Sequence, residues 1–139
     1  MPCPFCNIAE TKYRLLEEGD DFIVILSNPR LMPGHTLVIP KRHILKPTEM
    51  SATERKNVFN AILKWQDKIT DAFSTGCDVR QNFRPFLKES PIKVNHVHYH
   101  LIPREFEDKH YYIVDKNAQT LFEPLSEEER KKIEGIYLK

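Results

Sequence analysis

Asn95-His96-Val97-His98-Tyr99-His100-Leu101-Ile102 puts a histidine at every second position. Side chains alternate faces along a β-strand. His96, His98, His100 and Ile102 therefore point one way. Val97, Tyr99 and Leu101 point the other way, with bulk that suits a core. The pattern predicts a strand over residues 94–102, ended by Pro103. Three imidazoles line one face of it, about 6–7 Å apart. Three of the chain's six histidines fall within these five residues. A core has no need of that, so the row reads as chemical. Two other readings stand beside it. Alternate residues of a strand can reach one metal ion, so all three histidines could be zinc ligands. An accidental polar surface face is the other, poorly served by Val97 and Tyr99 opposite and Pro103-Arg104 following.

Outward from this strand, Phe22-Ile23-Val24-Ile25-Leu26 is a short apolar run rich in strand formers. Asn28-Pro29 and Met32-Pro33-Gly34 punctuate a loop. His35 to Pro40 reads as a second strand. Ser51-Ala52-Thr53-Glu54 is a capping box opening a helix. Val58, Ile62, Trp65, Ile69 and Phe73 recur in steps of four, three, four and four, on one helical face. The helix is predicted over 52–75, with Gly76 as its stop. Residues 78–83 read as a strand and 84–93 as a polar loop. Ser126-Glu127-Glu128-Glu129 opens a short C-terminal helix. Strands outnumber helices, which favours an α+β fold around a mainly antiparallel sheet.

The 139 residues fit one domain, 1–139. Lys and Arg total 21, Asp and Glu 20, so no basic excess points to nucleic acid as partner. No apolar run reaches the ~20 residues of a membrane span. Met1-Pro2-Cys3-Pro4-Phe5-Cys6 lacks the pattern of a secretory signal. A cytoplasmic location is expected, where thiols stay reduced. There, Cys3-x-x-Cys6 suggests metal or redox chemistry before a disulfide. Cys77 reads as a half-buried free thiol.

His96-Val97-His98-Tyr99-His100-Leu101-Ile102 resembles the His-φ-His-φ-His-φ-φ signature of the histidine triad (HIT) superfamily, where φ is apolar and Tyr99 is a common aromatic variant. Pro33-Gly34-His35-Thr36-Leu37-Val38-Ile39-Pro40-Lys41-Arg42-His43, roughly sixty residues upstream, resembles its second landmark. Cys3-x-x-Cys6 is similar to the N-terminus of zinc-carrying microbial members. The likeness spans about residues 3–104 and leaves 105–139 unmatched. It implies a five-stranded sheet with one long helix and a short C-terminal helix, and a homodimer.

The resemblance also implies an activity: nucleotidyl hydrolysis or transfer at an α-phosphate. His98 takes the nucleophile's place and would form a covalent nucleotidyl-histidine. His100 would donate to a phosphate oxygen. His35 would lie near the same phosphate or support the triad. Asn82 matches a phosphate-contacting Asn. It lies a few residues further upstream of His96 than in the family, as an insertion within 84–93 would produce. Cys3, Cys6, His43 and His96 would form a structural Zn²⁺ site, closed by four protein ligands.

The chain also departs from the family. Pro91-Ile92-Lys93 replaces the usual Gly-Gln-Ser or Gly-Gln-Thr. Lys93 there favours an anionic leaving group over a neutral amine. Leu26-Ser27-Asn28-Pro29 stands where an acidic residue usually binds the ribose; Ser27 or Asn28 is the candidate contact. Phe5, Ile8 and Val24 are candidates for apolar contact with a base, and Arg84 for a further phosphate contact. The substrate class implied is a dinucleoside polyphosphate or similar conjugate. A transferase or phosphorylase of the galactose-1-phosphate uridylyltransferase type, and a nucleotide-binding or zinc-stabilised interaction module without catalysis, are the alternatives.

Overall fold

The computed structural model describes residues 3–138, apart from the side chain of Ile8. Near the N-terminus, the Asn7 side-chain oxygen accepts from the Glu10 amide at 3.2 Å and caps a short helix, α1 (Ile8–Lys12). Then come β1 (Leu15–Glu18), β2 (Phe22–Leu26), β3 (Thr36–Pro40), α2 (Ala52–Ala72), β4 (Gly76–Arg80) and β5 (Tyr99–Arg104). The five strands form one sheet in the order β1-β2-β3-β5-β4, antiparallel at every pairing. The α+β expectation and the strand at 22–26 agree with this architecture.

The run Phe22–Leu26 is apolar at consecutive positions because both faces of β2 are covered. Val24, Val38 and Leu101 face one way and pack with Val58, Ala61, Ile62 and Ile69 of α2. Ile23, Ile25, Leu37 and Ile39 face the other way, against Phe5. Full burial of each such side chain contributes about 1.5–3 kcal/mol.

Helix α2 begins as its sequence dictates. Ser51 Oγ accepts from the Glu54 amide at 3.1 Å, and Glu54 Oε1 accepts from the Ser51 amide at 2.8 Å. Such a cap stabilises by about 1 kcal/mol. The helix ends at Ala72, earlier than predicted. Phe73 leaves helical geometry at φ −128°, and Ser74 Oγ donates to Gly76 O at 2.7 Å. That local bond offers the backbone an alternative to another helical turn. Gly76 therefore opens β4 rather than stopping α2, and Phe73 is 60% exposed instead of joining the buried stripe. Its ring covers Gly34, where φ is +80° and an added Cβ would lie 2.5 Å from the ring. Both facts require glycine there.

The predicted strand at 94–102 is corrected at both ends. Residues 94–98 run outside the sheet: the Val97 amide donates to Ile44 O at 2.9 Å, in the loop beyond β3. Pro103 lies within β5 rather than ending it. The β3 pairing stops at Leu101, so Pro103 pairs with β4 alone, an edge setting that tolerates a missing N–H. The strand predicted at 78–83 lies two residues earlier, at Gly76–Arg80. Strand β1, on the sheet edge, had no sequence signal.

The chain forms two compact units, divided after Phe106. The unit from Glu107 onward holds a π-turn at Tyr111–Asp115, α3 (Lys116–Ala118) and α4 (Glu127–Tyr137). The predicted capping box of α4 forms between Ser126 and Glu129. Among the described residues no helix is long and apolar enough to cross a membrane.

Candidate active site and metal centre

Backbone carbonyls decide which nitrogen His96 and His98 present. A carbonyl oxygen only accepts, so the ring nitrogen facing it carries the proton. His96 Nε2 donates to Pro40 O at 2.7 Å. Its Nδ1 lone pair is thereby turned towards Cys3, Cys6 and His43. His98 is set the other way round: Nδ1 donates to His96 O at 2.7 Å, which leaves the lone pair on Nε2. Burial is the main cause that lowers the His98 pKa, with Lys93 nearby adding to it against the carbonyl bond. Its neutral, nucleophilic form is favoured.

His100 takes its tautomer through His35. The Leu31 amide donates to His35 Nδ1 at 3.1 Å, so His35 carries its proton on Nε2. That nitrogen donates to His100 Nδ1 at 2.9 Å. His100 is left with an N–H on Nε2. Burial pushes His35 down to about 4 and His100 down to about 3. The His98 and His100 ring centroids are 4.8 Å apart, closer than the strand spacing predicts, because His98 precedes the strand.

The four expected metal ligands converge. Cys3 Sγ is 3.4 Å and Cys6 Sγ 3.5 Å from His96 Nδ1; Cys6 Sγ is 3.4 Å and His96 Nδ1 3.2 Å from His43 Nδ1. All four ligand atoms lie within 4.8 Å of one another. A tetrahedral Zn²⁺ with ordinary bond lengths separates N from N by about 3.3–3.4 Å and S from N by about 3.5–3.6 Å. The donor set and its spacing fit that ion. The Pro40 carbonyl behind His96 is the kind of outer partner that orients a ligating imidazole.

A cleft of about 150 Å³ opens beside His98, lined also by Leu45, Asn82, Arg84, Lys93 and Asn95. Asn82, just before the 84–93 loop, and Arg84, within it, thus line the same cleft as His98. Lys93 Nζ donates to Asn95 Oδ1. Phe5 packs edge-on to His98, with centroids 5.0 Å apart. Ser27 sits next to His35 in chain pairing, its amide donating to His35 O at 2.8 Å; its hydroxyl donates to Pro29 O at 2.8 Å.

Val24 is a correction: it is fully buried on the α2 face of the sheet, opposite Phe5, and has no access to a base. A run that is apolar at every position gives no alternation to mark its side. Ile8 lies outside the residues whose side chains are described. Cys77 is half-buried as expected, and burial pushes its thiol up to about 11.

Arg80 had not been singled out from sequence. Its strand was placed too late, and only the β4–β5 register sets it opposite His100. Directly opposed residues share a face.

A family model described as HIT domain matches residues 9–107. A HIT-like protein of Methanocaldococcus jannaschii, described as uncharacterized, is 32% identical over 105 residues, 73% of this chain and 78% of its own length. The asymmetrical bis(5'-nucleosyl)-tetraphosphatase of Schizosaccharomyces pombe is 31% identical over 87 residues, 56% of this chain and 42% of its own. Among solved structures, a Zn-bound histidine triad family protein from Mycobacterium smegmatis matches with a TM-score of 0.65 at 26% identity, over 78% of this chain and 79% of that one.

Proposed function

The chain belongs to the HIT family, and we propose that it is a nucleotidyl hydrolase that cleaves an anionic conjugate, such as a dinucleoside polyphosphate, at the α-phosphate. One observation carries this reading: the 2.7 Å bond from His98 Nδ1 to His96 O, which leaves a lone pair on Nε2 at the cleft. That lone pair attacks phosphorus. The bond from phosphorus to the leaving oxygen breaks, and its electrons stay on the departing phosphate. A nucleotidyl-histidine remains. Water then attacks, the P–N bond breaks, and its electrons return to Nε2. The water's proton goes to solvent as the nucleoside monophosphate leaves. Throughout, His100 Nε2–H donates to a phosphate oxygen on which charge builds.

Lys93 and Arg84 at the cleft support an anionic leaving group. The likeness to the tetraphosphatase agrees with this, although it spans under half of that enzyme. Cys3, Cys6, His43 and His96 would hold Zn²⁺. With four protein ligands the ion supplies rigidity, tying the N-terminus to the segment that carries the nucleophile.

The test is His98→Ala with diadenosine tetraphosphate as substrate. Turnover is expected to fall by about 10³-fold or more while nucleotide binding persists. Label from an α-³²P nucleotide conjugate should remain on histidine, labile to acid and stable to base, in the wild type only. Turnover within tenfold of wild type would overturn the assignment of the nucleophile.

A further inference from the structure

Among the described residues, Arg80 is a cation without a counter-ion on the histidine face. It ends β4, an edge strand of the sheet, and pairs in register with His100. It is half-buried, and its Nε is fully buried with no hydrogen-bond partner. Asp78, two residues earlier and so on the same face, is the nearest carboxylate along the strand. It is taken by Arg104, whose Nη1 lies 2.7 Å from Asp78 Oδ2. Among the described residues no other carboxylate pairs with the Arg80 guanidinium. Its charge helps to keep both His35 and His100 neutral.

Leaving a guanidinium partly desolvated and unpaired is costly, and the cost falls when an anion arrives. The site has cations on two sides. Lys93 stands by His98 in the cleft, and Arg80 stands by His100 on the sheet. His100 is the residue whose N–H faces the phosphate oxygens.

We propose that Arg80 anchors the anionic leaving group, accepting its terminal phosphates into a bidentate guanidinium contact beside His100. This rests on the hydrolase reading above and adds to it the residue that selects the leaving group. A guanidinium fork suits two phosphate oxygens at once, as a lysine does not. In the reaction the electrons of the breaking P–O bond settle on the leaving phosphate, and Arg80 stabilises that charge as it forms. A substrate that expels a neutral amine gains nothing from it. Arg80 is therefore a determinant of specificity as well as of rate.

The experiment compares diadenosine tetraphosphate, which expels ATP through its triphosphate end, with adenosine 5'-phosphoramidate, which expels ammonia, in wild type, Arg80→Gln and Arg80→Lys. The ratio of kcat/KM, tetraphosphate over phosphoramidate, is expected to fall about 10–100-fold in Arg80→Gln, the scale of a lost charge-assisted hydrogen bond. Arg80→Lys, which keeps charge but not the fork, should fall between. Calorimetric binding of inorganic tripolyphosphate should weaken by about tenfold in Arg80→Gln.

An equal loss on both substrates, with tripolyphosphate binding unchanged, would make Arg80 a structural residue and overturn the proposal. So would a lysine variant no better than glutamine. If the wild type cleaves neither substrate, the hydrolase reading fails. The anion site then stands or falls on tripolyphosphate binding alone, measured in the lysine variant if the glutamine variant does not fold.

Discussion

His35 Nε2 and His100 Nδ1 stand 2.9 Å apart, and the direction of that bond is set by an amide four residues upstream of His35. The Leu31 N–H occupies His35 Nδ1, so His35 donates and His100 accepts. His35→Ala removes the donor and frees His100 to turn its lone pair towards the phosphate. Turnover should fall by about 10²-fold with little change in KM, since the lost contact matters where charge develops. Steady-state kinetics decide this; a kcat within twofold of wild type would show that His100 needs no such lock.

The same pair makes stability depend on pH. Both imidazoles titrate near 6.5 in an unfolded chain, but burial holds them at about 4 and about 3 in the folded one. The unfolded state therefore binds more protons in this window. Stability is full above pH 6.5 and drops as pH falls through 4 towards 3. Removing His35 should flatten this slope by up to one proton, about 1.4 kcal/mol per pH unit. Urea unfolding at intervals between pH 7.5 and 4.5 measures it. Parallel slopes for wild type and His35→Ala would contradict the account.

Zinc should be present at about one ion per chain and should leave on Cys6→Ser substitution. Losing a structural ion held by four ligands costs several kcal/mol, so Tm should drop by roughly 10 °C. Elemental analysis and calorimetry give both values. A metal-free preparation with unchanged Tm would remove the ion from the account.

Glu54 closes the α2 capping box and also binds Arg42, the residue before His43, with Oε1 2.8 Å from Arg42 Nη2. It thus couples the helix start to the loop bearing a metal ligand. Glu54→Ala should cost about 1–3 kcal/mol in denaturant unfolding, by loss of the bond from the Ser51 amide and of the ion pair together. The companion change Ser51→Ala removes the cap alone and should cost about 1 kcal/mol. Equal losses would show that Arg42 adds nothing.

Much of this was legible beforehand. The apolar run Phe22–Leu26, the cap at Ser51 and the stripe from Val58 to Ile69 are local patterns, and each produced its element. The grouping of Cys3, Cys6, His43 and His96 followed from resemblance, and the four side chains do meet. Val24 went to the wrong face because a strand buried on both sides has no polar alternation to mark its inside. The strand at 94–102 was misplaced because a period of two describes extended chain, whether or not a neighbour pairs with it.

The sequence by itself determined which atoms gather: histidines two apart in an extended chain share a side, and the family resemblance of Cys3-x-x-Cys6 joins two thiols to them from some ninety residues away. Only the tertiary structure decided what those atoms present. Pro40 O, His96 O and the Leu31 amide fix three tautomers, and a strand register brings Arg80 to His100. A tautomer is chosen by whichever backbone group lies against the ring, and a cross-strand neighbour by where two distant segments pair. Neither is written in the spacing of residues along one chain segment.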